Sequence, residues 1–326
     1  VPHDEQASGG LSDLDELTIA APQKGTALQR LGVTAQFHLV DGHLPEARRS
    51  ALAVLRGILH LAPDEFALWM GSDDDRPRRI RDGAFTDVQN ATAPVVARAD
   101  RLLSVALLQP DLPPRWQAEA MMLAADPRRS WLSRVVLSCP PLRALQDPDR
   151  YVRLIAGWAQ DLQPQYGTAG LALVDEIGMA HQRGGAASPW LERYPGLDCA
   201  PFNVQQKPAR YVTVNWLTVI GDSVVEALGG VDEVRTRLRA SAEARDARGA
   251  QLLPYDGGVL IRASELPLLA EPVTGGAPSA YRVVNDALRP ARFEDYPEGP
   301  NIHLIDAPRA TDRRRATLDW IRRFDD

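Results

Sequence analysis

Between positions 33 and 40 apolar and polar residues alternate. Val33, Ala35, Phe37 and Leu39 share one face and Thr34, Gln36 and His38 the other, the two-residue period of a strand with one buried side. Beyond Pro45 the period lengthens. Ala47, Ala51, Val54/Leu55, Ile58 and Leu61 recur at helical intervals, and Arg48, Arg49 and Arg56 fall away from that stripe, predicting an amphipathic helix with proline in its first turn. Further strands are expected over Phe66 to Met70, Arg101 to Leu108 and Trp131 to Cys139, the last two as neighbours in one sheet. The clearest helix opens with Asp147 as N-cap and Pro148 at the first position, and carries Tyr151, Leu154/Ile155, Trp158 and Leu162 on one face.

In the second half, Gly167 to Val174 reads as a strand, Pro189 to Tyr194 as a short helix, and Tyr211 to Ile220 as a long β-branched and aromatic strand. Gly221-Asp222 caps a short helix that closes at Gly229-Gly230, and a second helix follows from Val231 to about Leu238. Asp256-Gly257 joins two apolar runs as a tight hairpin, because both positions tolerate positive φ. Helices at Ser279 to Arg289 and Thr311 to Phe324 complete the pattern. The order of elements is that of an α+β fold, a mixed or antiparallel β-sheet flanked by helices. Residues 1–12 read as a flexible, polar N-terminus and 13–326 as one domain. Both halves open with strands followed by helix, compatible with two related subdomains, 13–165 and 166–326.

Composition narrows the class. The 326 residues are 44% hydrophobic and 25% charged, enough for a sizeable core, and a net charge of −6 lacks the basic footprint of direct nucleic-acid binding. No window approaches the length of a membrane span, and two cysteines, Cys139 and Cys199, cannot build a disulfide framework; a reducing cytoplasm is the expected setting. All but two of the 37 basic residues are arginine, the mark of GC-rich coding more than of a recognition surface.

Candidate chemistry is sparse. Gly221-Asp222-Ser223-Val224 after a strand is the turn on which one class of esterases presents its serine, which would make Ser223 a nucleophile with a base such as His303. The histidine of that class follows an Asp-x-x pair, whereas Pro300 stands three residues before His303, and Asp222 and Ser223 read as helix-capping residues instead. Phosphate-cradling, dinucleotide-binding and lipase-elbow glycine motifs are absent, and the six histidines are scattered without metal-ligand spacing. No catalytic residue, cofactor site or metal site is assigned. Two acidic stretches, Asp73, Asp74 and Asp75, and Glu294, Asp295 and Glu298, could offer negative charge to a basic partner.

Five segments in order carry a resemblance: Ser188-Pro189-Trp190-Leu191-Glu192-Arg193-Tyr194-Pro195-Gly196-Leu197-Asp198, Thr213-Val214-Asn215-Trp216-Leu217-Thr218, Tyr255-Asp256-Gly257-Gly258-Val259-Leu260-Ile261-Arg262-Ala263, Tyr281 to Pro290, and the closing Trp320-Ile321-Arg322-Arg323-Phe324-Asp325. Together they resemble the immunity proteins of the bacterial type VI secretion system. The resemblance implies a cytoplasmic, non-enzymatic inhibitor of a cognate effector, a restriction-endonuclease-like nuclease of VRR or Tox-REase type, acting by stoichiometric protein–protein contact. Charge, hydropathy and the absent motifs lead to the further expectation of no cofactor, no direct nucleic-acid partner and no membrane partner. On this reading the two acidic stretches are the candidate toxin-binding residues, and the family segments themselves specify the fold. A divergent serine hydrolase built on Ser223, or an adaptor of the secretion apparatus, are the rival expectations.

Overall fold

The computed structural model describes residues 17–20, 27–72, 74, 76–81, 85–110, 113–126, 131–175, 187–200, 207–271, 275–296 and 312–325. Its strands are β1 (Thr18–Ala20), β2 (Ala27–Leu39), β3 (Leu68–Gly71), β4 (Arg78–Arg79), β5 (Leu103–Leu108), β6 (Gln117–Met122), β7 (Ser133–Cys139), β8 (Tyr166–Asp175), β9 (Asp198–Ala200), β10 (Leu217–Gly221), β11 (Gln251–Tyr255) and β12 (Gly258–Arg262). They form one sheet, ordered β11-β12-β10-β8-β2-β7-β6-β5-β3-β4, with β1 added to β2 and β9 to β8. Every pairing on the main path is antiparallel, and β9 lies parallel to β8. The two halves of the chain meet at the β2–β8 pair, which runs in register from Gln29↔Asp175 to His38↔Tyr166 and makes the sheet continuous.

The α+β architecture expected from the sequence is what forms. The helices are α1 (Pro45–Leu61), α2 (Thr86–Val96), α3 (Pro141–Leu145), α4 (Pro148–Leu162), α5 (Ser188–Arg193), α6 (Asp222–Ala227), α7 (Val231–Ala244), α8 (Ser279–Leu288) and α9 (Arg313–Ile321). Asp147 caps α4 as expected, its carboxylate accepting from the Arg150 N–H at 3.0 Å. Helix α1 packs on β6 and α4, and α4 in turn on β2, β11 and β12. The face they cover is the apolar one: Val33, Ala35 and Phe37 stand opposite Cys139, Leu137 and Val135.

Three expectations change. Strands β5 and β7 are not neighbours, because β6 lies between them. Gln-Ala-Glu-Ala-Met-Met has helical propensity and no strand pattern, but here the buried Glu119 faces a cross-strand partner instead of water: Arg134 of β7 donates to both its oxygens at 3.2 and 3.4 Å. Only Leu217–Gly221 of the run Tyr211 to Ile220 is strand. Upstream, Tyr211, Thr213 and Asn215 lie across β8, and a Cβ on Gly170 would sit 2.0 Å from the Asn215 Oδ1, so this close approach requires glycine. Arg48, finally, does not lie away from the α1 stripe but is wholly buried.

The second face of β2 is also buried: Thr34, Gln36 and His38 are all at most 3% exposed. Thr34 and Ser138 share a 2.8 Å hydroxyl–hydroxyl hydrogen bond, and His38 stacks on Tyr166 with centroids 5.6 Å apart. Burial first, and then the nearby Arg134 cation, hold the His38 imidazole down to about 3. Because this value lies below the 6.5 of a free histidine, the unfolded chain takes up the proton first. His38 stabilises the fold fully above pH 6.5, and that stability drains away as pH falls toward 3. Lowering pH from 7 to 5 should cost about 2 kcal/mol from this group alone. Urea titrations at the two pH values should show the loss in the native chain and a smaller one in His38→Phe.

Candidate functional site

At one end of the central strands the chain builds an open cleft of about 520 Å³. Its floor is the junction of four strand ends. The Gln165 N–H donates to the His38 carbonyl at 2.9 Å, the Gly221 N–H to the Gln165 carbonyl at 2.9 Å, and the Asp222 N–H to the Gly257 carbonyl at 3.0 Å. Glycine is needed twice here. A Cβ on Gly221 would lie 2.4 Å from the Pro164 carbonyl oxygen, and Gly257, at φ +104°, turns the β11–β12 hairpin against the Gln163 side chain. Gln163 leaves α4 in a left-handed conformation and its amide donates to the Gln160 and Asp256 carbonyls, tying helix end to hairpin.

The walls are acidic and apolar. Asp41, Glu46, Asp161 and Asp222 line the cleft, and among the described residues no arginine, lysine or histidine does so. Val40 and Leu44, 40% and 41% exposed, stand in the same cleft and are among the most exposed large aliphatic residues described. Exposed apolar side chains beside a carboxylate rim have the make-up of a surface that meets a partner.

Ser223 opens into this cleft from the first turn of α6, so the Gly-Asp-Ser segment is absorbed here. The N-cap is Gly221, and neither Asp222 nor Ser223 makes a side-chain cap bond, contrary to the capping role read from the sequence. The segment's geometry has its own cause in the close Gly221–Pro164 contact. His303 lies outside the described residues.

Of the six acidic residues singled out from the sequence, three, Asp74, Glu294 and Asp295, lie among the described residues. Asp74 sits in the turn between β3 and β4, accepting from the Gly71 N–H at 2.9 Å and pairing with Arg78, which also lies over the Trp69 ring. Glu294 is clasped between Arg292 and Arg322 in the half of the sheet that contains β10, and these cations hold its carboxyl below the ordinary range against the opposing effect of burial. Asp295 is exposed. Asp73, Asp75 and Glu298 lie outside the described residues. The acidic cleft was not visible in the sequence, because Asp41 and Glu46 flank the β2–α1 connection, Asp161 sits in the last turn of α4 and Asp222 opens α6, and no local charge run marks them.

The family segments serve the interior. Trp216 is fully buried, stacks on Tyr151 at 5.7 Å, and donates from Nε1 to the Ser264 carbonyl at 2.9 Å. The closing segment is bolted to the sheet by Arg323, which donates to Asp198 Oδ1 at 2.7 Å, to the Pro195 and Trp320 carbonyls, and to the Thr213 hydroxyl. Asn215 Nδ2 donates to the other oxygen of Asp198 at 2.7 Å.

Comparison with known proteins agrees with this picture. No curated protein matches the sequence. In fold the chain is similar to the Pseudomonas aeruginosa T6SS protein PA0821, at a TM-score of 0.77 and 21% identity over 96% of this chain and 89% of that one. The model of the TsiV family, described as type VI immunity for VRR-NUC, matches residues 96–324, which include the buried Asp198–Asn215–Arg323 cluster, and the chain belongs to that family.

Proposed function

We propose that this chain neutralises a type VI effector bearing a VRR-NUC nuclease domain by stoichiometric binding, and that the carboxylate-lined cleft makes the contact. Membership of the immunity family supports the role, and the cleft carries the proposed location. A nuclease must accommodate a polyanion, so its substrate face is basic. Asp41, Glu46, Asp161 and Asp222 offer such a face complementary charge, and Val40 and Leu44 offer apolar area to bury. Of the acidic stretches read from the sequence, Asp295 adds an exposed charge, whereas Asp74 and Glu294 already neutralise arginines of this chain. Inhibition involves no turnover. The site of action is the cytoplasm, where the nucleic acid to be protected lies. Among the described residues no helix is long and apolar enough to cross a membrane.

Co-expression with the effector domain, scored by survival and co-purification, tests the role. Calorimetry on the pair tests the location. The double exchange Asp41→Lys/Asp222→Lys should weaken binding by about 100-fold, or ~2.7 kcal/mol, and flatten its salt dependence, since both exchanges put repulsive charge at a complementary contact. Both side chains are exposed, so the melting temperature should hold. Unchanged affinity would move the contact away from the cleft, and a wild-type chain that neither rescues nor binds would remove the immunity role.

A further inference from the structure

A second cavity, of about 410 Å³, lies on the apolar face of the sheet, between α1, α4 and the end of β7. Its walls are Trp116, Tyr151 and Trp158, with Leu137 beneath and Leu154 at the side. The space is open to solvent on one side, and its volume is that of pockets that take up small organic molecules. Two cations stand at the mouth. Arg143 lies 6.0 Å above the Trp116 ring and reaches the Leu61 carbonyl only at 3.4 Å, and Arg150 uses only its backbone N–H, on the Asp147 carboxylate. Neither guanidinium is in an ion pair among the described residues, and Asp147, the one carboxylate in the lining, is engaged as the N-cap of α4.

We infer that this cavity is a binding site for a small amphiphilic monoanion, a carboxylate on an aromatic or branched apolar body, independent of the effector cleft. The apolar body fills the space between Trp116, Tyr151 and Trp158. The carboxylate meets Arg143 and Arg150, whose planar forks suit it, and the mouth's excess of one positive charge over Asp147 suits a single negative one. A small molecule is favoured over an inserted protein segment because the three aromatic walls are each no more than 8% exposed and so offer no broad apolar face for a segment to cover.

The test uses 2-naphthoate as the probe, with neutral 2-naphthamide as its isostere, in calorimetry and in quenching of tryptophan emission on the full chain. Naphthoate should bind at one site with a Kd of about 0.1 mM, the range open to a ligand of that size. Arg143→Gln/Arg150→Gln should weaken naphthoate about tenfold and leave the naphthamide affinity unchanged. Leu154→Trp, introduced at a half-exposed helix position, should fill the space and abolish binding of both while the chain stays folded by circular dichroism. Absence of naphthoate binding to the wild-type chain overturns the proposal, as does binding that is indifferent to these exchanges. Loss of effector binding in Leu154→Trp, with no naphthoate binding to the wild type, would assign the cavity to a protein partner and overturn it equally.

Discussion

Arg48→Met should lower the free energy of unfolding by about 4 kcal/mol, read from urea denaturation, with the acidic cleft unaltered. Methionine matches the length and apolar stem of arginine, so what is lost is the guanidinium. That group is buried at the start of α1 and donates to the carbonyls of Gly42 at 3.2 Å, of Val95 and Arg98 at 2.7 Å each, and of Arg101. Val95 and Arg98 lie at and just beyond the end of α2, where carbonyls have no helical partner and the helix dipole favours a cation. Each carbonyl left buried and unsatisfied costs roughly 1–3 kcal/mol. Arg48→Lys should recover only part of the loss, since one ammonium cannot reach carbonyls spread around a planar fork. Wild-type stability in Arg48→Met would show that the surrounding loops rearrange to satisfy themselves.

Arg323→Met should cost about 3–5 kcal/mol, the usual penalty for stranding one member of a buried ion pair. Both side chains of the pair are under 10% exposed, and burial pushes the Asp198 carboxyl up and the Arg323 guanidinium down to about 10, so each charge depends on the other. The double variant Arg323→Met/Asp198→Asn should be more stable than Arg323→Met alone, because no unpaired charge remains. The deficit of Arg323→Met should also be smaller at pH 5 than at pH 7. A stranded Asp198 with a raised folded value binds its proton more readily in the fold than in the unfolded chain, so acid relieves it and rising pH aggravates it. A pH-independent deficit would mean that Asp198 finds another cation. In the native chain this pair joins the C-terminal segment to β9 and the Thr213–Asn215 stretch, so its loss should also raise amide exchange across α9.

Elements with one wet face, or with a local signal of their own, were legible in advance. The Asp147-Pro148 start of α4, the Asp256-Gly257 hairpin and the buried stripe of Ile321 and Phe324 all follow from capping, turn chemistry and period. The family segments were legible for a related reason: Trp216, Asp198 and Arg323 have packing requirements specific enough to leave a recognisable spelling.

The polar side of the sheet was not legible. Gln117 and Glu119 in β6, Arg134 in β7 and Thr34, Gln36 and His38 in β2 look solvent-facing one strand at a time, and only register turns them into pairs such as Arg134–Glu119 and Thr34–Ser138. Arg48 misleads in the same way, because its partners are backbone carbonyls from distant loops, and a carbonyl has no letter in the sequence. The acidic cleft and the aromatic cavity share that origin. Short-range pattern specifies an element, its caps and which side is apolar, since those depend on residues a turn or a strand apart. What covers the other side, which strands lie adjacent, and where charges from separate elements converge depend on contacts between residues far apart in the chain, which the folded chain alone brings together.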